Sequence, residues 1–391
     1  MRVRAILTIS FMIFISGIIC GLVVYAVAHW IYRGAQREEQ LFPLSLYSIP
    51  QAFPEGDLAQ HLATIAKSYH LGNGRCDIAV CYKNVNYFFT LTGSSFREGE
   101  NENAVYEIAS ITKLFVGNVA HQVLLVSPLV SIESPISELP FCKCSEAEFK
   151  DSEGRDAITY LDLITHHSGL PRLPDDFPHT GLLQPYRDST FATLHKSFCT
   201  SSVKPSSSYD YSNFGYAILG HLIEGLSGNC LETEISERIA KPLGLVDTGY
   251  SLSETQKGRL ISPMKSGRDV EPWEMSAYMG AGGMYSTVSD LLKFAAAHFN
   301  EGGQNRDQML IYPTKKLRPA DSAGTSIGIS WHIDSENALD VFWHNGQSVG
   351  SQSYIGMIPD HEIAVAVLTN NSKINVEELG RRMLYVALRS D

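Results

Sequence analysis

The apolar positions of this 391-residue chain begin with an unbroken block. From Ala5 to Tyr32 there is no Asp, Glu, Lys or Arg, a run of 28 residues. A helix of about 20 such residues crosses a bilayer. Arg2 and Arg4 precede the run, and Arg33 and Arg37 follow it, so the positive-inside bias is nearly balanced. The apolar core of a cleaved signal peptide is shorter, about 7–15 residues. Residues 1–32 are therefore expected to form a transmembrane anchor. Secretion after signal cleavage is the alternative, because Ala26-Val27-Ala28 has the small residues of a cleavage site. Either way the rest of the chain is expected outside the cytoplasm. Residues 33–55 carry Pro43, Pro50 and Pro54 and are expected to be a linker.

Beyond the linker the pattern alternates between two periods. Asp57 to His70 places Leu58, Leu62, Ile65 and Ala66 on one helical face behind an acidic start. Ile78–Tyr82 and Tyr87–Leu91 predict a hairpin around Lys83-Asn84-Val85-Asn86. From 114 to about 275 the signals are mostly helical, with polar loops. Phe214–Leu226 predicts a helix stopped by Gly228, and Ser289 and Asp290 are expected to cap another through Leu291, Leu292 and Phe294. Strands are expected at Ile327–His332, Val341–His344, Ser353–Ile358 and Ile363–Thr369, and an amphipathic helix at Val376–Leu388. The resulting plan is α/β (α+β). An antiparallel sheet from both terminal segments, flanked by helices, encloses a mainly helical insertion. The folded part would span 56–391, with an α/β lobe at about 56–113 and 280–391 and a helical lobe at about 114–279. No internal repeat is visible.

Composition narrows the classes. Hydrophobic residues make up 44% and charged residues 19%, as in an ordered globular protein. The net charge of −11 becomes −13 without the first 40 residues, and no basic patch or stripe points to nucleic acid. Six cysteines lie beyond Cys20: Cys76, Cys81, Cys142, Cys144, Cys199 and Cys230. Cys76 and Cys81 bracket a strand spanning about 16 Å and cannot pair with each other. Most of the six are expected to be free and buried.

The chemistry is expected at Ser110-Ile111-Thr112-Lys113, where a hydroxyl and an amine one helical turn apart can exchange a proton. With 41 Ser and 14 Lys, chance supplies about 1.5 such spacings, and the chain has three. Ser201/Lys204 is followed by Pro205, and Ser262/Lys265 contains Pro263, so neither suits a helix interior. Only Ser110/Lys113 opens a long apolar run. Tyr211-Ser212-Asn213 stands just before the Phe214 helix; alone it reads as a surface tyrosine followed by the capping residues Ser212 or Asn213, but at a helix entry the tyrosine can point into a cleft. His344-Asn345-Gly346 ends a strand. Its glycine would let the backbone come close to a substrate, with the next N–H, that of Gln347, free to hold an oxyanion.

With these motifs in view, the chain resembles the serine β-lactamase and penicillin-binding-protein superfamily, in the branch of class C β-lactamases, DD-peptidases and related esterases. The matching segments are YEIASITKLF (106–115), LVSIESPISELP (129–140), ITYLDLITHHSGLP (158–171), YDYSNFGYAILGHLIEGLSG (209–228), KPLGLVDT (241–248), AGGMYSTVSDLLKF (281–294) and HNGQSVG (344–350). They cover about residues 76 to 372 in the family's order. The resemblance implies Ser110 as nucleophile, Lys113 as its partner, and Tyr211 with Asn213 as second motif. It implies His344, Asn345 and Gly346 as third motif, and the N–H groups of Ser110 and Gln347 as oxyanion hole. It implies hydrolysis of an amide, lactam or ester through an acyl-enzyme, without metal or cofactor. A peptidoglycan stem peptide or a β-lactam would suit as substrate. One departure matters. Class C enzymes usually carry lysine where this chain has His344. Histidine is cationic only part of the time near neutrality and would hold a substrate carboxylate less firmly. No counterpart of the deacylating glutamate of class A enzymes is present, so deacylation would fall to Tyr211.

Two other readings compete. Gly346-Gln347-Ser348-Val349-Gly350 matches the G-x-S-x-G nucleophile elbow, which requires strand, turn and helix, then an acid and a histidine. Only 41 residues follow, with Asp360 and His361 adjacent. The alternative function is a catalytically slow or inactive membrane-anchored penicillin-binding protein. His166-His167 lacks a carboxylate at metal-ligand spacing, and the resemblance implies that it lies in a packed loop near the lobe junction, while Gly280, Gly282 and Gly283 are expected where backbones pack closely.

Overall fold

The computed structural model describes residues 57–391, except 100–102, 145–151, 179–180, 202, 204, 206–207, 300–313, 321–323, 337–338 and 391. The expected membrane segment (1–32) and linker (33–55) lie outside the described residues.

Among the described residues, nine strands form one antiparallel sheet: β1 (Arg75–Tyr82), β2 (Val85–Thr92), β3 (Ser95–Glu98), β4 (Arg318–Pro319), β5 (Thr325–Ile327), β6 (His332–Glu336), β7 (Leu339–Gln347), β8 (Gln352–Ile358) and β9 (Ile363–Thr369). Their spatial order is β3-β2-β1-β9-β8-β7-β6-β5-β4. The first and last segments meet where β1 pairs with β9, from Cys76 opposite Thr369 to Tyr82 opposite Ile363. Every residue of β9 is buried, which is why its sequence, IAVAVLT, is apolar on both faces.

Helices cover both faces. Val376–Leu388 (α6) packs on one face over β8 and β9, and Leu58–Lys67 (α1) lies against it and over β2. Val288–Ala296 (α5) covers β9, β1 and β8, where Ile355, Met357, Ala364, Ala366 and Leu368 join the main core. Between these lie α2 (Thr112–Val126), α3 (Phe191–Thr200) and α4 (Asn213–Ser227). Among the described residues, 109–126 is the one helical stretch long and apolar enough to cross a membrane by composition. It is a core helix here: Thr112 through Leu124 are all buried, the other fate of a helix apolar all round.

Several elements match their sequence pattern, and the differences have local causes. Asp57 caps α1 by accepting from Ala59 N–H at 3.2 Å. The β1–β2 turn is tighter than expected. Lys83 and Asn84 both take positive φ (47° and 65°), a two-residue turn that lets β2 begin at Val85. Ile327–His332 is not one strand. Gly328 N–H bonds Trp331 O at 2.8 Å and Ser330 takes φ 65°, which makes the turn between β5 and β6. Thr287, not Ser289, caps α5, accepting from Asp290 N–H at 3.1 Å. Of the six cysteines, Cys76, Cys81 and Cys142 are free and buried and Cys230 is free and exposed, whereas Cys144 and Cys199 form a disulfide. A Cβ on Gly280 would stand 2.5 Å from Tyr216 O, so this glycine lets the segment 279–282 lie against α4.

Arg381 on α6 is fully buried. It bonds Asp334 of β6 at 2.7 Å and Glu377 at 3.0 Å, and its guanidinium lies 4.7 Å from the Trp343 ring centre. One side chain thus ties the last helix to β6 and β7.

Candidate active site

Ser110 sits in a 3-10 turn, Ala109–Ile111, that runs into α2. Ala109 takes φ 44°, a left-handed conformation that is strained for a residue with a Cβ. The turn is clamped from two sides. Met284 N–H donates to Thr112 Oγ1 at 3.1 Å, and Ser353 Oγ donates to Ile108 O at 2.8 Å. Lys113, one helical turn on, is wholly buried. Its Nζ donates to Ser110 Oγ at 3.1 Å and to Ala281 O at 2.5 Å. Ser110 itself is partly exposed, while its partner lysine is shielded from solvent.

Tyr211 reaches the same place from just ahead of α4. Ser212 caps that helix by accepting from Gly215 N–H at 2.8 Å, one of the two capping choices left open by the sequence. The cap turns the chain so that the Tyr211 ring centre lies 4.9 Å from Lys113 Nζ, 4.5 Å from the His166 ring and 6.4 Å from the His344 ring. Asn213, the first helical residue, donates to Tyr186 OH at 3.0 Å, and its Oδ1 is buried without a hydrogen-bond partner. The packed loop expected at 166–169 is the wall behind Tyr211. His166 Nδ1 accepts from Ser212 N–H at 3.0 Å, and the ring contacts Tyr209, Tyr211 and Tyr216.

The third strand motif divides between the two faces of the sheet, as strand alternation demands. His344 points toward Tyr211. Its Nδ1–H donates to Asn345 O at 2.6 Å, and Nε2 is buried without a partner. Burial holds the imidazole well below the usual histidine range, and the neighbouring His332 and Lys113 push it the same way. His332 is pushed down to about 4 for the same leading reason, burial, and His166 is also held well below its usual range by burial and then by Lys113. His344 is therefore neutral around pH 7, where the sequence allowed a partial cation. Asn345 is not brought to the site: its Nδ2 donates to Glu377 of α6 at 3.3 Å, on the other face.

Gly346 has a different duty from the one its position suggested. A Cβ there would collide with Ile108 O and Ser353 Oγ and stand 2.9 Å from Ser110 N. The glycine makes room for the Ser110 turn itself. Gly346→Ala is expected to lower kcat/KM at least about 100-fold, because a shift of about 1 Å at the reacting groups costs that much. Steady-state kinetics on any substrate the wild type turns over would check it, and a loss under tenfold would contradict the crowding.

Gln347 is exposed and pairs with Gln352. Ser348 N–H bonds Ser351 O at 2.9 Å, so the alternation of an antiparallel ladder makes Gln347/Gln352 a non-hydrogen-bonded pair. The Gln347 N–H thus points away from β8. β6 pairs with β7 only as far as Trp343, so that N–H opens onto the edge where the Ser110 turn packs.

Glu107 belongs to no catalytic motif in the sequence, yet it lies beside the site. Its buried carboxyl accepts from Trp273 N–H at 2.5 Å, Ser348 Oγ at 3.0 Å and Ser351 Oγ at 3.3 Å, and burial raises its pKa. A lone carboxylate inside the apolar stretch before Ser110 was the available signal. The same bonds dispose of the elbow reading: Ser348 is a buried turn residue between two strands, with no helix after it.

Other proteins share this architecture. Residues 78–388 match the family model described as Beta-lactamase. The chain is 26% identical over 288 residues to the D-alanyl-D-alanine-carboxypeptidase/endopeptidase AmpH of Escherichia coli (strain K12), covering 70% of this chain and 72% of that protein. It is 24% identical over 288 residues to the human putative beta-lactamase-like 1, covering 68% of this chain and 54% of that protein. Among solved structures, a class C beta lactamase from Rhodobacter sphaeroides superposes with a TM-score of 0.69 at 17% identity, over 86% of this chain and 99% of that one. A beta-lactamase/D-alanine carboxypeptidase from Yersinia pestis, complexed with citrate, gives 0.70 at 18% identity, over 85% and 99%. A match running through nearly the whole described chain makes the protein a member of the beta-lactamase family.

Proposed function

We propose that the protein is a serine hydrolase that works through an acyl-enzyme on Ser110. The observation that carries this reading is the 3.1 Å contact between a buried lysine amine and a partly exposed serine hydroxyl, with a tyrosine ring beside the amine. Ser110 Oγ attacks the carbonyl carbon of an amide, lactam or ester, and its proton leaves to the Lys113–Tyr211 pair. The N–H groups of Ser110 and Gln347 hold the oxyanion, each donor worth about 3–4 kcal/mol in a comparable site. Tyr211 protonates the leaving group. Water then attacks the ester on Ser110, its proton taken by Tyr211, and the acid departs as Ser110 recovers its hydrogen. Asn213 orients substrate with its unpaired Oδ1. Neutral His344 offers the Nε2 lone pair as a hydrogen-bond acceptor rather than a charge.

Peptidoglycan-like peptides and β-lactams are the substrate classes in keeping with the relatives named above. The charge-free run at Ala5–Tyr32 supports a membrane-anchored enzyme with its hydrolase part outside the cytoplasm. The test is intact mass of the full-length protein after brief exposure to benzylpenicillin, with the remaining drug measured beside it. An adduct, or drug consumption without one, is expected. A stable adduct with no consumption marks a slow penicillin binder. No adduct and no consumption would remove β-lactams from the substrate classes and leave esters and peptides.

A further inference from the structure

We propose that Arg172 is the specificity-determining cation of this cleft, selecting acyl donors that carry a carboxylate a few bonds from the scissile carbonyl. The inference rests on the serine-hydrolase reading above and adds a residue that no sequence motif singled out.

The cleft has few places to hold a negative charge. His344 spends its one N–H on Asn345 O, so the position that the third motif offers to an anion presents a lone pair instead. Lys113 is wholly buried, and its amine is committed to Ser110 Oγ and Ala281 O. An anion drawn to it would compete with the nucleophile for the same protons. Arg172 has no such commitment. It is half-buried, its guanidinium carbon lies 5.0 Å from the Tyr211 ring centre, and it makes no ion pair among the described residues. Asp210, on the exposed side, is the acid whose charge it feels.

Its backbone is fixed to the part of the fold that presents Tyr211. Arg172 O accepts from Phe214 N–H at 3.1 Å, and Pro171 O accepts from Ser212 Oγ at 2.8 Å. The loop 171–172 and the start of α4 therefore move as one piece. Lys113 and Arg172 lie 4.9 and 5.0 Å from one ring centre, so they stand no more than about 10 Å apart across Tyr211. That span suits an acyl chain with its carbonyl at Ser110 and a carboxylate a few bonds away. A guanidinium resting on a ring face keeps its N–H edge free for a bidentate grip on a carboxylate, a geometry lysine cannot reproduce.

The test compares two esters of similar size on the full-length protein: 4-nitrophenyl hydrogen glutarate, which ends in a carboxylate, and 4-nitrophenyl valerate, which ends in a methyl. Ser110→Ala gives the background rate for each. Wild type is expected to favour the glutarate in kcat/KM. Arg172→Met is expected to lower the glutarate-to-valerate ratio at least about tenfold, the range of a charge-assisted hydrogen bond, whatever happens to the valerate rate. Arg172→Lys is expected to fall between, keeping the charge and losing the fork. A ratio in Arg172→Met within twofold of wild type, or no glutarate preference in wild type, overturns the inference while leaving the hydrolase reading intact. Equal rates in wild type and Ser110→Ala for both esters would instead overturn the hydrolase reading, and this inference with it.

Discussion

Ser110→Ala is expected to lose hydrolysis by about six orders of magnitude in kcat, the loss seen when the nucleophile of a serine hydrolase is removed. The fold is expected to survive. Lys113 keeps its bond to Ala281 O, and the turn keeps the clamps from Met284 and Ser353, none of which uses the serine side chain. The stability change should stay within about 1 kcal/mol, the worth of one hydrogen bond. Ester hydrolysis and a thermal melt on the same preparation separate the two effects. Residual hydrolysis near the wild-type rate, lost instead in Ser348→Ala, would move the reaction to the β7–β8 turn. The geometry opposes that outcome, because Ser348 is buried and its hydroxyl is spent on Glu107.

Arg381→Ala is expected to destabilise the protein by about 3–5 kcal/mol, the cost of breaking a buried ion pair by removing one partner. Asp334 and Glu377 would be left without their shared counter-charge, and the face of Trp343 would lose its cover. The side chain has no exposed surface at all, so water cannot easily take its place. Urea denaturation followed by fluorescence would measure the loss. A change below 1 kcal/mol would mean that the two carboxylates find other partners or take up protons. The site should register the change as well, since Glu377 also receives the Asn345 amide and Asn345 neighbours His344 on β7. The asparagine of the third motif is thus best understood as a tie between the sheet and α6.

What was legible in the chain was local. Val376–Leu388 emerges as a helix at those same bounds because its apolar residues recur at helical spacing, and Ile363–Thr369 as a strand because a short β-branched run bounded by turns has one easy conformation. Ser110 and Lys113 meet because three residues make about one helical turn, whatever surrounds them. The disposition of the rest required neighbours distant in sequence. Ile327–His332 has the composition of a strand, yet Ser330 must take a left-handed turn so that β5 can fold back on β6. Cys144 and Cys199 stand 55 residues apart, and only folding brings them together.

The order of residues along the chain was enough for the two-period pattern, the serine–lysine turn and the tyrosine just ahead of a helix. Each follows from spacing along the backbone, which is set by covalent geometry and short-range hydrogen bonding. Tertiary structure alone decided that His344 is neutral, that Asn345 faces α6, that Gly346 makes room for the Ser110 turn, and that Arg172 lies over the Tyr211 ring. Charge state depends on burial and on which groups share a cavity, and facing depends on register across strands. Neither is written in the order of the residues; both arise when segments as far apart as 110, 172, 211 and 344 are packed around one cleft.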